Sequence, residues 1–355
     1  MADAWIRGQK ARIEDAVERT AALLADSRMP VIAGLGTDVA GARAAVALAE
    51  RIGGAVDHMH SAAMLRQLDV MRTGAMLVTT PHEARLRGDV LLLAGPGLTE
   101  AWPAWPERLM AGGKRHVVWL CPGAKQADPP IRLIGDDPAQ LPDLLGVLRA
   151  RIAGRPVANN TLPLQAIEDL AAVLKQARFG VAVWSVAHLD GLCTEMLAGL
   201  VKDLNAETRF TSLPLLPGDN AGAVQQVSGW KTGFPMRVGF GRGFPEHDPW
   251  RFDAVRLVDS GEADCALWIS AMSGAAPAWR REIPTIALMA SPDRLPRPAE
   301  VAFAVGRPGV DHDAVEYLPA SATLAPLRAS HPVDTPAVAD VLTRIGAALP
   351  AGVSC

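Results

Sequence analysis

Tyrosine is almost missing from this chain of 355 residues: one Tyr stands against nine Trp and seven Phe. Cysteine is scarce as well. Cys121, Cys193, Cys265 and Cys355 lie far apart, and no CxxC or CxxxC pair occurs. That spacing excludes a locally built zinc knuckle or iron–sulfur loop, and dispersed thiols in a chain of this size read as reduced, mostly buried residues of a cytosolic protein. No apolar run reaches the length of a membrane span. The first twenty residues carry charge throughout, with no apolar core, so a secretory signal is not expected. Net charge is −3 and no long basic block appears, which argues against a nucleic-acid surface. GxSxG is missing too, and with it the nucleophile elbow of hydrolases. The sequence therefore reads as a cytoplasmic protein with neither nucleic acid nor membrane as partner, and with no complete catalytic centre.

What is present is the rhythm of an α/β protein. With 49% apolar and 21% charged residues the composition is that of a globular chain, long enough for two compact lobes. Helical spacing from Ile13 to Leu24 is followed by Pro30 and a buried strand, Val31 to Leu35. A glycine-rich turn then leads into an alanine-rich helix at 40–52 and a second strand ending at Val56-Asp57. Continuous apolar runs at 90–94, 116–120, 180–184, 265–269, 285–289 and 301–305 read as buried parallel strands. Helices are expected over 141–152, 164–174 and 336–348. Ala153 to Thr161 reads as a linker, and Pro217 to Trp250 as a long glycine-rich loop of poor periodicity.

Three local patterns invite a functional reading. Gly34-Leu35-Gly36-Thr37-Asp38-Val39-Ala40-Gly41 lies between strand and helix, where glycines let a phosphate approach, and Asp57 ends the next strand. The third glycine is two positions late for GxGxxG, and a tight turn explains the run equally well. His58 and His60 point the same way from an extended chain and could share a metal. The other six His residues form no second cluster, which favours a structural role. Trp102 and Trp105, each followed by Pro, suit either a partner surface or plain packing.

A family emerges from the glycine-rich stretch. Leu213-Pro214-Leu215-Leu216-Pro217-Gly218-Asp219-Asn220-Ala221-Gly222 resembles the P-x-R-G-x-N-x-x-G segment of molybdopterin oxidoreductases. Trp230-Lys231-Thr232-Gly233-Phe234-Pro235, then Phe240-Gly241-Arg242-Gly243-Phe244-Pro245, is similar to the W-x-T-G-Y-P and F-x-R-G-Y-P motifs of the B subunit of formylmethanofuran dehydrogenase. Gly95 to Pro103 and Gly261 to Leu267 match further motifs of that family in the same order. The resemblance spans about residues 28 to 320. It implies two Rossmann-like α/β lobes with mostly parallel sheets, as in the molybdopterin-binding domains of the DMSO-reductase-like family. By analogy, residues 1–82 with 156–355 form the larger domain, and 83–155 an inserted second lobe.

The departures are specific. No Cys precedes Val31, where the redox family binds an iron–sulfur cluster. Counting from Asp57, its Cys or selenocysteine metal ligand falls near Ala62-Ala63, and a methyl group cannot hold tungsten or molybdenum. The pterin-binding Arg is Leu216 or Pro217, and the Asn of G-x-N-P is Gly97. A B subunit of the bacterial formyltransferase/hydrolase complex, which needs no electron transfer, accommodates these losses. The resemblance then implies a scaffold without Mo/W pterin or iron–sulfur cluster. It would assemble with A (hydrolase), C and D (formyltransferase) subunits that carry formyl-tetrahydromethanopterin through formyl-methylofuran to formate, with methylofuran as a carrier it could contact. Its catalytic and metal residues would be none; a degenerate pocket is expected from His60, Ala63, Asn220, Gly222, Trp230, Lys231 and Arg242. The alternatives are a working tungsten or molybdenum dehydrogenase subunit and a stand-alone nucleotide-binding α/β protein.

Overall fold

The structure is a computed structural model that describes residues 3–111, 115–123, 131–158 and 161–350. Cys355 and two residues of the expected linker, Asn159 and Asn160, lie outside the described residues. The early strands are β1 (Ala4–Ile6), β2 (Gln9–Ala11), β3 (Pro30–Gly36), β4 (Ala55–His58), β5 (Val90–Ala94), β6 (His116–Leu120), β7 (Arg132–Ile134), β8 (Gly180–Ser185) and β9 (Phe210–Leu215). They are followed by β10 (Val238–Gly239), β11 (Glu246–His247), β12 (Cys265–Ser270), β13 (Thr285–Met289), β14 (Val301–Ala304), β15 (Ala314–Leu318) and β16 (Thr323–Leu327).

Two compact units share the chain. One comprises Met1–Ala62, Gly218–Tyr317 and Leu324–Cys355; the other comprises Ala63–Pro217 and Leu318–Thr323. The 83–155 segment drawn by analogy is one part of the second unit, because β8 and β9 extend the sheet that β5 begins. The first unit holds a nine-stranded sheet ordered β11-β10-β4-β3-β12-β13-β14-β1-β2. Its five central strands are parallel, in the 2-1-3-4-5 order of flavodoxin-like sheets, while β1, β2, β10 and β11 join antiparallel at the edges. The second unit holds a five-stranded, wholly parallel sheet ordered β7-β6-β5-β8-β9, the doubly wound 3-2-1-4-5 arrangement.

Burial explains the continuous apolar strands. Every residue of β3 is buried: Ile32 and Leu35 pack with helices Ile13–Asp26, Val39–Ile52 and Val338–Ala348 on one face, and Val31 and Ala33 with Phe252, Leu257 and Trp268 on the other. Helix Val39–Ile52 starts where the Asp38 carboxylate accepts from the Gly41 N–H and stops at left-handed Gly53. Trp102 and Trp105 are buried packing residues, with Trp105 edge-on to Trp119 at 5.7 Å. The Pro217–Trp250 stretch is not all loop: Ala221–Thr232 is a helix. Its buried face is Ala221, Gly222, Ala223, Val224, Val227 and Ser228, residues too small and mixed to signal a helical stripe. Among the described residues no helix is long and apolar enough to cross a membrane.

Candidate functional site

In open α/β sheets ligands bind beyond the carboxyl ends of the strands, where the strand order reverses. In the first unit that point lies between β3 and β12, and the turns after β3, β4 and β12 meet there. Gly34 is left-handed (φ +84°), and a Cβ on it would sit 2.5 Å from the Ile269 carbonyl oxygen, so the turn requires glycine. Gly36 opens its bare face toward Asp219, whose Oδ1 would lie 3.0 Å from a Cβ there. The Asp219 carboxylate accepts from the Ser273 N–H at 3.0 Å after β12, and its Oδ2 lies 3.4 Å from His60 Nε2. Burial would raise this carboxyl; the bonds from His60 and Ser273 outweigh it and hold Asp219 below its usual range.

Asn220, left-handed like Asp219, completes the closure. Its Nδ2 donates to the Thr37 carbonyl and its Oδ1 accepts from the Tyr317 N–H, both at 2.8 Å. His58 is buried with both ring nitrogens engaged. Nδ1 accepts from the His60 N–H and Nε2 donates to the Asp219 carbonyl, each at 3.0 Å, which fixes the neutral Nε2–H tautomer. Burial pushes its pKa down to about 4. A side chain so committed has no lone pair for a metal, and the shared-metal reading of His58 and His60 fails on that geometry. Among the described residues no group of three or more His, Cys, Asp or Glu could hold a metal ion.

Asp57 is buried beside His58. Its carboxylate accepts from the Ala254 N–H at 2.9 Å and faces Arg237 Nε at 3.5 Å; Arg237 also pairs with Asp253 at 2.5 Å. Burial dominates and raises the Asp57 pKa to about 6, with Arg237 opposing. The Asp57 Oδ1 has no hydrogen-bond partner, but the residue is buried and so is not open to a ribose. The nucleotide reading of the Gly34–Gly41 turn therefore loses both of its parts, since Asp38 caps the helix N-terminus and Asp219 occupies the open face of Gly36.

The expected pocket residues do not converge on one cavity. Asn220 joins the closure directly and His60 through Asp219, whereas Gly222 is buried in the first turn of helix Ala221–Thr232. Trp230 and Lys231 stand exposed at that helix's end, and Arg242 is exposed and paired with Glu246 at 3.2 Å. Ala63 is a buried methyl on helix Ser61–Gly74, in the second unit. Sequence reasoning missed Asp219, the hub; its place before Asn in a Gly-Asp-Asn turn was the available signal, because Asp and Asn tolerate positive φ.

The second unit repeats the pattern at its own reversal point, between β5 and β8. Gly95 and Gly97 are left-handed, and a Cβ would strike Leu189 at 2.5 Å from the first and the His188 ring at 2.0 Å from the second. His188 Nδ1 lies 3.0 Å from Ser185 Oγ and its Nε2 3.0 Å from Glu100. Ser185 is fully buried, so this trio offers no accessible nucleophile. The thiols of the described residues offer none either: burial pushes Cys121 up to about 11, and Cys193 and Cys265 up to about 12. A tungsten or molybdenum pterin, which the redox relatives imply, does not fit these residues. Ala62 and Ala63 supply no soft ligand, Leu216 and Pro217 supply no cation, and His58 and Asn220 beside the β3 and β4 turns spend their polar atoms on the protein's own backbone.

No family model matches the chain. The B subunit of the formyltransferase/hydrolase complex Fhc of Methylorubrum extorquens is 37% identical over 365 aligned residues, covering 99% of each chain. A chain in the crystal structure of the formyltransferase/hydrolase complex (FhcABCD) of that organism, in complex with methylofuran, superposes with a TM-score of 0.86 at 36% identity. It covers 96% of this chain and 97% of its own. The B subunit of tungsten-containing formylmethanofuran dehydrogenase 2 from Methanocaldococcus jannaschii is 27% identical over 75% of this chain and 66% of its own length. Coverage end to end at 37% identity leaves one conclusion: the chain belongs to the family of formyltransferase/hydrolase complex B subunits.

Proposed function

We propose that this chain is a non-catalytic, structural subunit of a cytoplasmic formyltransferase/hydrolase complex, assembling with A, C and D subunits that convert formyl-tetrahydromethanopterin to formate through formyl-methylofuran. The observation that carries the reading is the conjunction of full-length similarity to the Fhc B subunit with the self-closed turn around Asp219 and Asn220. No metal and no pterin belongs to this chain in that reading. The residues His60, Ala63, Asn220, Gly222, Trp230, Lys231 and Arg242, expected to line the family's pocket, serve the scaffold and its surface in that reading. Lys231 and Arg242 are exposed cations on glycine-rich segments, suited to an anionic, carboxylate-bearing carrier such as methylofuran.

Expression of the chain alone and with its A, C and D subunits tests the proposal. The complex is expected to assemble and to hydrolyse formyl-methylofuran, and the isolated chain to show no turnover. Robust hydrolysis by the isolated chain, or failure to enter the complex, overturns it.

A further inference from the structure

The exposed aromatics are all in one place. Among the described residues, the Trp and Phe side chains exposed to solvent are Trp230 (62%), Phe234 (38%), Phe244 (53%) and Trp250 (71%), within 21 consecutive residues. They decorate the end of helix Ala221–Thr232, the β10–β11 hairpin and the turn after it, at the edge of the nine-stranded sheet where β11 has no outer neighbour. Rings of this size bury 150–250 Å² each, so the exposed fractions amount to about 500 Å² of apolar surface. That is over half of what one side of a standard protein interface covers, about 800 Å², and it lies at a sheet edge, a position proteins normally cover or charge.

The patch is held rigid from beneath. Half-buried Arg237 pairs with Asp57 and Asp253 and donates to the Pro249 carbonyl, tying the base of the hairpin to the following turn. Phe234 stacks on His247 at 5.9 Å; Arg256 lies 4.2 Å from the Trp250 ring, donates to its carbonyl and pairs with Glu262. Phe234 and Trp250, fixed in this way, lose little freedom when covered, the property of interface anchors. Around them stand three exposed cations, Lys231, Arg242 and Arg251, against two exposed acids that are already engaged: Asp248, whose Oδ1 accepts from the Trp250 and Arg251 N–H groups, and Glu262, which pairs with Arg256. Arg242 and Arg251 share a 170 Å³ cleft with Glu246 and Glu262.

We infer that this edge is the docking surface for another protein of the complex, one presenting apolar sockets for Trp230, Phe234, Phe244 and Trp250 flanked by Asp or Glu side chains. The inference rests on the assembly reading above. The test is co-expression with the A, C and D subunits, followed by native mass spectrometry and titration of the purified components. Assembly of the wild-type chain tests the reading; the Trp230→Ser/Trp250→Ser double variant tests the surface. The double variant is expected to keep its circular dichroism and melting temperature while binding its partner at least about tenfold more weakly. Leu86→Ser, at an exposed apolar position elsewhere, should assemble as the wild type does. Full assembly of the double variant overturns the inference. So does intact assembly with loss of methylofuran alone, which would make the patch a carrier site, or loss only of self-association by the isolated chain, which would make it a homodimer contact.

Discussion

Acid should weaken this protein through His58, and replacing that ring should remove the effect. In the folded chain His58 is neutral, with a pKa of about 4 against 6.5 for a free histidine. A depressed histidine contributes stability that is complete above the unfolded pKa and is lost as pH falls through 6.5 toward 4. At 1.36 kcal/mol per pKa unit, the loss between pH 7 and pH 4 is about 3 kcal/mol. Two carboxyls pull the other way. Asp57 at about 6 and Glu316 at about 7 are raised by burial, so each favours the folded state below its unfolded pKa and loses that contribution as pH rises. The acid limb of the wild type is therefore a sum of opposed terms, and only a difference isolates His58. In His58→Gln the side-chain amide can still donate to the Asp219 carbonyl and carries no charge at any pH. Urea unfolding followed by tryptophan fluorescence, from pH 7.5 to 4, gives the comparison. The wild type minus variant stability should fall by about 3 kcal/mol across that range. A flat difference, or a His58 ring signal titrating near 6.5 in the NMR spectrum of the folded protein, refutes the buried neutral tautomer.

Three further outcomes follow from the same geometry. Arg237→Met leaves the Asp57 carboxylate buried without its cation and should cost about 3–5 kcal/mol at pH 7.5; the defect should shrink at pH 5, where Asp57 can take up a proton, as paired urea melts would reveal. Gly34→Ala places a Cβ 2.5 Å from a backbone oxygen at φ +84° and should cost more than about 2 kcal/mol, seen as a lowered Tm. The purified complex should contain no tungsten or molybdenum bound to this chain; elemental analysis finding one atom per chain would reverse the assignment.

Much of the two central sheets was legible because their strands are buried on both faces. Runs such as Val90–Ala94 and Thr285–Met289 are continuous in apolar residues and bounded by turn residues, so both ends could be read. The edge strands were not legible. β1, β2, β10 and β11 are two or three residues long and carry polar or glycine positions, and pairing partners far along the chain decide them, as Val301 does for Ile6. Helix Gly191–Leu204 was missed although Asp190 caps it, since its apolar positions nearly encircle it. At the site, sequence spacing identified the right turns and the wrong use. Glycines before a helix can admit a phosphate or a neighbouring side chain with equal ease, and which one enters depends on Asp219 and His188, each some ninety or more residues away from the glycines it fills.

That ambiguity bears on why the family's motifs persist where the side chains do not fit its cofactor. Glycines and an asparagine useful only to a cofactor would have no role in the scaffold itself. In this fold each has a second employment: Gly34 must be left-handed beside the Ile269 carbonyl, Gly97 must leave room for His188, and Asn220 joins the β3 turn to Tyr317 through two buried hydrogen bonds. Losing one Asn220 partner would strand a buried donor or acceptor, at about 1–3 kcal/mol. The cofactor-specific positions have no such employment. By the resemblance, the soft ligand falls near Ala62-Ala63 and the cation at Leu216 or Pro217, and small or apolar side chains there leave the hydrogen bonds of the scaffold undisturbed. The retained and the lost residues thus sort by whether the backbone depends on them. Motif similarity around such turns reports ancestry of the scaffold, and the chemistry must be judged from the side chains that now fill it.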